Sequence, residues 1–216
     1  TRGHERMRRR SDILADVRAA VESGRQEIHL LGQIVNHYRD PDTGTDFAQL
    51  LSDVNDIQGV TRIRFASPHP RHTGAALINA IATLPKVCKH VHLPVQSGST
   101  RILSLMRRRH TREHYLELLG SLRAAVPGIT FSTDVIVGFP GETDDDFLAT
   151  MTLTETARFL GMFSFKYSPR PNTLATKRMP DTVPEEEKTA RIVALQAHQR
   201  AIQSEILTSM VGSELD

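Results

Sequence analysis

The sequence of 216 residues is poor in sulfur ligands and contains a single cysteine, Cys88. One thiol forms no internal disulfide and builds no zinc or iron–sulfur site that needs several thiolates, which fits a reducing compartment. No apolar run approaches the roughly 20 residues that cross a bilayer, and the arginine-rich start lacks the apolar segment of a signal peptide. We therefore expect a cytoplasmic protein without a membrane partner.

Motifs of several common enzyme classes are also missing. The sequence has no Gly-x-x-x-x-Gly-Lys loop, and no Gly-x-Gly-x-x-Gly follows its first predicted strand, which argues against ordinary nucleotide and dinucleotide enzymes. Gln96-Ser-Gly lacks the glycine pattern of a serine nucleophile elbow. The histidines near the predicted strands do not lie on helices at metal-ligand spacing, so we predict no zinc site and no metal ligand.

The residues that are present predict an α/β fold. Hydrophobic residues make up 39% of the chain, which is enough for the core of one domain. Helical stripes and apolar strands alternate, and this order predicts a parallel sheet with right-handed crossovers. Five strands are predicted at about Glu27–Leu31, Arg62–Ala66, His90–Val95, Ile129–Val137 and Met162–Tyr167.

Capping residues indicate where three of the helices begin. Ser11 and Asp12 offer a cap for the first helix, and Thr143 is followed by three aspartates that suit the positive end of a helix dipole. Pro184 and the glutamates after it predict the start of a last helix that runs to about Met210.

Polar residues follow each predicted strand, and ligands of α/β folds bind at the carboxyl ends of parallel strands. We therefore expect these residues on one rim. For the strand end at Ser132–Glu142 the alternative is a tight turn, which needs Gly138 and Gly141 only for its backbone dihedral angles. The rim candidates are Gln33 and Asn36, Ser67 and His69, Gln96 to Gly98, Asp134 to Glu142, and Ser168 to Arg170.

Arginines are clustered although the formal net charge is only +2. A guanidinium group donates two parallel hydrogen bonds to phosphate, so clusters on a near-neutral chain favour a nucleic-acid-binding face. A solvated chain end and a solvated helix terminus are the alternative. The clusters are Arg2, Arg6, Arg8, Arg9 and Arg10 at the start, and Arg107, Arg108 and Arg109 later.

Four segments resemble the radical S-adenosylmethionine (SAM) methylthiotransferases. They are Leu31-Gly-Gln-Ile-Val-Asn-His-Tyr38, His92-Leu-Pro-Val-Gln-Ser-Gly-Ser99, Asp134-Val-Ile-Val-Gly-Phe-Pro-Gly-Glu-Thr143 and Tyr167-Ser-Pro-Arg-Pro171. The Leu-Gly-Gln strand end, the Ser67-Pro-His-Pro70 loop and the Thr1-Arg-Gly start are most similar to the branch of the family that acts on tRNA. The branch that acts on a ribosomal protein is the near alternative.

The resemblance implies a partial (β/α)6 TIM-like barrel of the radical SAM type, in which a [4Fe-4S] cluster cleaves SAM to a 5′-deoxyadenosyl radical. The radical would abstract hydrogen from carbon 2 of N(6)-(dimethylallyl)adenosine beside the tRNA anticodon, where a methylthio group is then installed. The implied partners of a monomeric enzyme are the anticodon stem-loop and donors of sulfur and electrons. A non-catalytic SAM- or RNA-binding module is the alternative from another class.

Site residues follow from the resemblance and from position at strand ends. Gln33 would take the methionine end of SAM, although a loop-stabilising amide is the alternative, and Asp134 would accept hydrogen bonds from the ribose. No general acid or base is assigned, because the cofactor performs the difficult step. The complete set is Gln33, Ser67, Gln96, Ser97, Asp134, Gly138 and Phe139 for SAM, and Arg2, Asn36, His69 and Arg170 for tRNA.

One departure from the family pattern changes the expected activity. The family carries a Cys-x-x-x-Cys-x-x-Cys loop just before Thr-Arg-Gly, whereas this sequence begins at Thr1. We expect residues 1–210 to be a radical SAM core that lacks its first strand and cysteine loop, and residues 211–216 to begin a linker to a C-terminal RNA-binding β domain. Cys88 cannot replace the loop, so the core alone is expected to be inactive.

Overall fold

The computed structural model describes residues 6–171 and 173–212, and within them helices and strands alternate along the chain. The strands are β1 (Glu27–Leu30), β2 (Arg62–Phe65), β3 (His90–His92), β4 (Thr130–Val137) and β5 (Gly161–Lys166). The helices are α1 (Arg10–Glu22), α2 (Phe47–Asn55), α3 (Ala75–Thr83), α4 (Thr100–Leu105), α5 (Arg112–Ala125), α6 (Asp144–Ala157), α7 (Leu174–Arg178) and α8 (Glu185–Met210). The predicted α/β class and all five predicted strands are confirmed.

The described chain forms two compact units. Unit 1 comprises the described residues up to His92 together with Ser121–Ile129, and unit 2 comprises Leu93–Gly120 with the described residues from Thr130 onward. None of the helices in the described ranges is both long enough and apolar enough to cross a bilayer.

In unit 1, β1 and β2 are parallel neighbours, with Glu27 opposite Arg62 and Leu30 opposite Phe65. Ile63 continues the pairing through a parallel bridge to Val87. Helix α2 packs an apolar stripe against these strands. Asp46 is its N-cap residue, and the Asp46 side chain accepts a hydrogen bond from Gln49 N at 3.0 Å. The stripe consists of Phe47, Leu50, Leu51 and Val54, all at most 3% exposed.

The predicted cap of the first helix is wrong, because Ser11 and Asp12 lie inside the first turn of α1 and Arg9 is the N-cap residue. Tertiary contacts replace the missing cap. The Arg10 backbone N–H donates to Asp40 Oδ1 at 2.8 Å, and the Arg10 guanidinium is ion-paired with Asp53. The start of α1 is therefore fixed by aspartates that are distant in sequence, which local capping rules do not detect.

In unit 2, β4 and β5 are parallel neighbours from Ser132 opposite Gly161 to Val137 opposite Lys166. The predicted start of α6 is confirmed, because the Thr143 and Asp146 side chains form a reciprocal capping box. Helix α8 runs over 26 residues as predicted, with Pro184 as its N-cap residue.

The strand predicted to reach Val95 ends at His92, because its pairing partners change. Leu93 N and Gln96 N still donate to the β4 carbonyls of Ser132 and Asp134, each at 2.8 Å. Between them, Val95 N donates instead to the Thr133 side-chain hydroxyl at 2.9 Å. A side chain therefore interrupts the regular ladder of backbone hydrogen bonds.

Candidate cofactor and substrate site

The strand ends of unit 1 bring Gln33 and Ser67 together. Both side chains are exposed, and both residues line one open depression with Leu31, Gly32 and Ile34. Ser67 has a left-handed backbone with φ of 58°, and its carbonyl accepts a hydrogen bond from Val35 N at 3.3 Å. A left-handed conformation of a residue other than glycine is strained, and such strain is concentrated at functional sites.

Gln33 also lines a second cleft of about 550 Å³, which α1 and β1 border within unit 1. Its apolar wall includes Val17, Ile28 and Leu30. Among the described residues no hydrogen bond to the Gln33 side chain is found, so they give no support to the alternative of a loop-stabilising amide.

Asn36 connects two of the strand-end loops of unit 1 and is 8% exposed. Its Oδ1 accepts from His69 N at 2.9 Å, and its Nδ2 donates to His69 O and to Thr73 Oγ1, each at 3.0 Å. The amide uses both of its N–H groups within the protein. Asn36 is therefore placed to position the His69 loop, and direct contact of Asn36 with a substrate stays a prediction.

His69 is half-buried and belongs to a group of three neighbouring imidazole rings. Its Nδ1 accepts a hydrogen bond from Arg71 N at 3.1 Å, so a neutral ring carries its proton on Nε2. The His69 and His72 ring centroids are 6.0 Å apart, and those of His37 and His72 are 4.5 Å apart. No cluster of three or more metal-ligating side chains suits a metal ion among the described residues, these histidines included.

In unit 2, Gln96 and Asp134 are neighbours through the backbone. Gln96 has φ of 74°, its N–H donates to Asp134 O at 2.8 Å, and its carbonyl accepts from Ile136 N at 2.9 Å. Ser97 is fully buried, and its hydroxyl accepts from Ser99 N at 3.2 Å. Gln96 is thus the second strained residue other than glycine at a strand end, whereas Ser97 stabilises the loop.

The loop after Gln96 lies directly on α6. Gly98 N donates to Thr150 Oγ1 at 2.9 Å, and a Cβ on Gly98 would stand 2.4 Å from both Ala149 O and Thr150 Cα. Ser99 Oγ donates to Asp146 Oδ1 at 2.6 Å. Burial alone would raise the pKa of Asp146, but hydrogen bonds from Arg101, Ser99 and Thr143 hold it well below its usual range.

Asp134 is half-buried and lies near Arg108. Burial lowers the pKa of Arg108, and the negative charge of Asp134 opposes this shift. Arg107 and Arg109 are exposed, whereas Arg108 is half-buried. The cluster predicted to face phosphate is therefore split, and Arg108 interacts with a predicted site residue instead.

The arginines at the start of the chain form ion pairs as well. Arg8 lies 2.8 Å from Asp16 and Arg9 lies 3.3 Å from Asp42, while Arg10 pairs with Asp53 as described above. These contacts favour the alternative in which this cluster is a neutralised part of the surface. Arg2 lies outside the described residues.

The turn after β4 is held by a buried ion pair that the sequence analysis missed. Glu142 Oε1 accepts from Gly138 N at 2.9 Å and from Arg191 Nη1 at 2.8 Å. The Glu142 and Arg191 side chains are only 1% and 5% exposed. Burial raises the pKa of Glu142, and the hydrogen bond from Gly138 and the charge of Arg191 oppose this shift.

Gly138 and Phe139 make mainly internal contacts. Gly138 has φ of 70°, and a Cβ on it would stand 2.3 Å from Lys188 Cγ. The buried ring of Phe139 packs edge-on against Tyr167, with centroids 5.1 Å apart. The tight-turn alternative accounts for Gly138, and a role of either residue in binding SAM stays a prediction.

Arg170 is exposed on the loop that follows β5. Its carbonyl accepts hydrogen bonds from the hydroxyls of Thr173 and Thr176 at 3.0 and 2.8 Å. Two hydroxyls thus hold the Arg170 carbonyl, and the residue is exposed, as a phosphate-binding arginine requires.

Comparison with known proteins identifies the superfamily. The family described as the Radical SAM superfamily matches residues 1–154. The chain therefore belongs to the radical SAM superfamily, as the sequence resemblance predicted. Solved structures agree on the fold, with a TM-score of 0.61 to coproporphyrinogen III oxidase from Escherichia coli, a radical SAM enzyme, at 15% identity over 89% of this chain and 46% of that chain. Methylornithine synthase gives 0.57 at 14% identity over 88% of this chain and 53% of that chain.

More similar relatives carry a particular name, tRNA-2-methylthio-N(6)-dimethylallyladenosine synthase. The protein of that name from Solibacter usitatus is 46% identical, with 99% of this chain and 48% of the relative covered. The one from Moorella thermoacetica is 47% identical, with 100% and 48% covered. The chain thus spans about half the length of the curated relatives that it matches.

Proposed function

We propose that this chain is the central part of a radical SAM methylthiotransferase that adds a methylthio group to carbon 2 of N(6)-(dimethylallyl)adenosine beside the anticodon of tRNA. The observation that carries the proposal is 45–48% identity, over 91–100% of the chain, to relatives named for this product. The substrate implies that the enzyme works in the cytoplasm, and we propose that it acts as a monomer.

The part of this chain in such a reaction is to bind and orient. When bound, SAM and a [4Fe-4S] cluster supply the radical chemistry of the superfamily. Asp134, half-buried on β4, has the acceptor oxygens for the ribose hydroxyls of SAM, and the exposed Gln33 amide has both donors and an acceptor for its methionine end. Cys88 is the one cysteine of the chain, so its own residues do not form a three-thiolate loop, and we assign no cluster ligand among them.

Substrate RNA would be held by the exposed loops. Arg170 is exposed and its backbone carbonyl is held by two hydroxyls, which limits the entropy lost when a phosphate binds. His69 lies on a loop that Asn36 fastens, and its ring belongs to the cluster with His37 and His72. Sulfur and electron donors complete the proposed partners.

The experiment that tests this function uses the full-length protein, purified and reconstituted with iron and sulfide under anaerobic conditions. SAM, a reductant and an anticodon stem-loop containing N(6)-(dimethylallyl)adenosine are added, and the nucleosides are analysed by mass spectrometry. We expect the 2-methylthio product. Unmodified RNA together with a methylthiolated ribosomal protein in a parallel reaction would overturn the proposal in favour of the ribosomal branch.

Cells provide an independent measurement. Deletion of the full-length gene should remove the methylthio group from the adenosine beside the anticodon, and a plasmid copy should restore it. Unchanged tRNA in the deletion strain would contradict the proposed function.

A further inference from the structure

Two phenylalanine rings project from the same face of β5 into solvent. Phe163 is 62% exposed and Phe165 is 52% exposed, and no other described phenylalanine is as exposed. The residues between and after them face α8, since Gln196 Nε2 donates to Ser164 Oγ at 3.0 Å and Lys166 Nζ donates to Thr189 Oγ1 at 3.3 Å. Because side chains alternate along a strand, both rings lie on the face of β5 opposite α8.

The neighbouring strand adds polar chemistry to this face. Asp134 lies opposite Phe163, and Ile136 lies opposite Phe165, in the parallel register of β4 and β5. Residues opposite each other in a sheet share a face, and both β4 residues are half-buried. Asp134 also interacts electrostatically with Arg108.

This combination fits a flat heterocycle better than a covering protein segment. An apolar segment packed over the rings would also cover the carboxylate of Asp134, and burial of a charged group is costly. A base offers an aromatic face to the rings and does not cover the carboxylate of Asp134, which we assign to the ribose of SAM. Stacking of bases on exposed aromatic side chains is a general mode of binding unpaired nucleic acid.

We propose that Phe163 and Phe165 form the binding surface for the unpaired adenine base of the RNA substrate, with the apolar N6 substituent lying along the rings. This inference rests on the proposed function. If Asp134 holds the ribose of SAM, the Phe163–Phe165 surface lies next to the cofactor. A base on this surface is then close enough to the cofactor to react. Neither phenylalanine had a role in the sequence analysis.

The test measures binding of anticodon stem-loop RNA to the full-length protein and to its Phe163→Ala and Phe165→Ala variants. Each RNA is prepared with N(6)-(dimethylallyl)adenosine, with fluorescent 2-aminopurine, or with an abasic residue at the modified position. Val193→Ala and Leu148→Ala are matched controls, because these apolar side chains are 57% and 59% exposed on helices. Thermal melting of every variant checks that it folds as the controls do.

We expect each phenylalanine variant to bind the RNA that contains the base at least about fivefold more weakly, the lower end of measured base–aromatic stacking effects. Binding of the abasic RNA should not change, and the quenching of 2-aminopurine seen with the unaltered protein should be lost. A Phe165→Tyr variant should retain the quenching. The controls should behave as the unaltered protein.

Three results would overturn the inference. The first is that the phenylalanine variants bind base-containing RNA with the same affinity as the Val193→Ala control, in a preparation whose unaltered protein transfers the methylthio group. The second is variants that cleave SAM more slowly in the absence of RNA, since the surface would then serve the cofactor. The third is no RNA binding by the unaltered protein, which would remove the proposed function together with this subsite.

Discussion

Gly98 lies in a loop that was predicted to bind a ligand, but the structure gives it a role in packing. The sequence placed it at a strand end, and the structure places it against the backbone of α6, where a Cβ would meet Ala149 O and Thr150 Cα at 2.4 Å. Periodicity predicted both the strand and the helix, but not their contact, because close approach depends on tertiary packing.

We predict that Gly98→Ala destabilises the protein by about 1 to 3 kcal/mol, the usual cost of overpacking, because backbone atoms must move. Chemical denaturation of the full-length protein measures the loss. Gly120→Ala is the control, since Gly120 lies within α5 and, apart from its chain neighbours and the backbone of its own helix, no described atom lies within 4 Å of the added Cβ. This variant should be neutral or stabilising. Equal stability of the two variants would show that the loop does not press on α6.

His110 is a buried residue whose contribution to the free energy of unfolding should depend on pH. Burial lowers its pKa to about 4, although a hydrogen bond with the Val95 backbone opposes the shift. A histidine that is neutral in the folded protein and has a pKa of about 6.5 when unfolded contributes stability above pH 6.5. That contribution is lost as pH falls from about 6.5 towards 4.

We therefore expect the unfolding free energy to decrease by up to about 3 kcal/mol over this pH range because of His110. Urea titrations of the unaltered protein and of His110→Gln at pH 7, 5.5 and 4.5 measure this decrease. The variant should lose less stability with acid, because glutamine does not titrate. Parallel pH profiles of the two proteins would contradict the prediction.

At the scale of elements, α8 fastens the turn that follows β4. The residues of α8 that face the protein are Lys188, Arg191, Leu195, Gln199 and Ile202, spaced as one helical stripe. Three of these five residues are polar, so apolar periodicity does not reveal which face of α8 is buried. The helix was predicted from the residues at its start and from its length. The contact of Arg191 with Glu142 was therefore not predictable from either segment alone.

We predict that Arg191→Met destabilises the full-length protein by about 3 to 5 kcal/mol, because Glu142 would be left as a buried carboxylate without its partner. The double variant Glu142→Gln, Arg191→Met should recover most of that loss, since no charge then remains buried. Denaturant unfolding of the single and double variants gives the coupling energy of the pair. Additive losses would show that the pair does not act as one unit.

For the whole molecule, sequence patterns predicted the alternation of helices and strands, the parallel pairing and the superfamily, because these follow from periodicity and from motifs that resemble a known family. They did not predict which arginines are available to RNA. That property depends on acidic neighbours that the fold brings close, such as Asp16 and Asp42 beside the first cluster and Asp134 near Arg108. The gathering of all five strand ends at one rim stays a prediction.

The distribution of these charges predicts how RNA affinity depends on salt. Each phosphate contact releases counterions, so its loss makes the plot of log affinity against log salt concentration less steep by about one unit. Arg170 is exposed after β5 and should make such a contact, whereas Arg9 already pairs with Asp42 at 3.3 Å. We expect Arg170→Ala in the full-length protein to flatten the plot by about one unit, and Arg9→Ala to leave it unchanged. Fluorescence anisotropy of an anticodon stem-loop, titrated at several salt concentrations, measures both slopes. If the two variants have the same slope as the unaltered protein, Arg170 does not contact phosphate and the RNA is held by other residues.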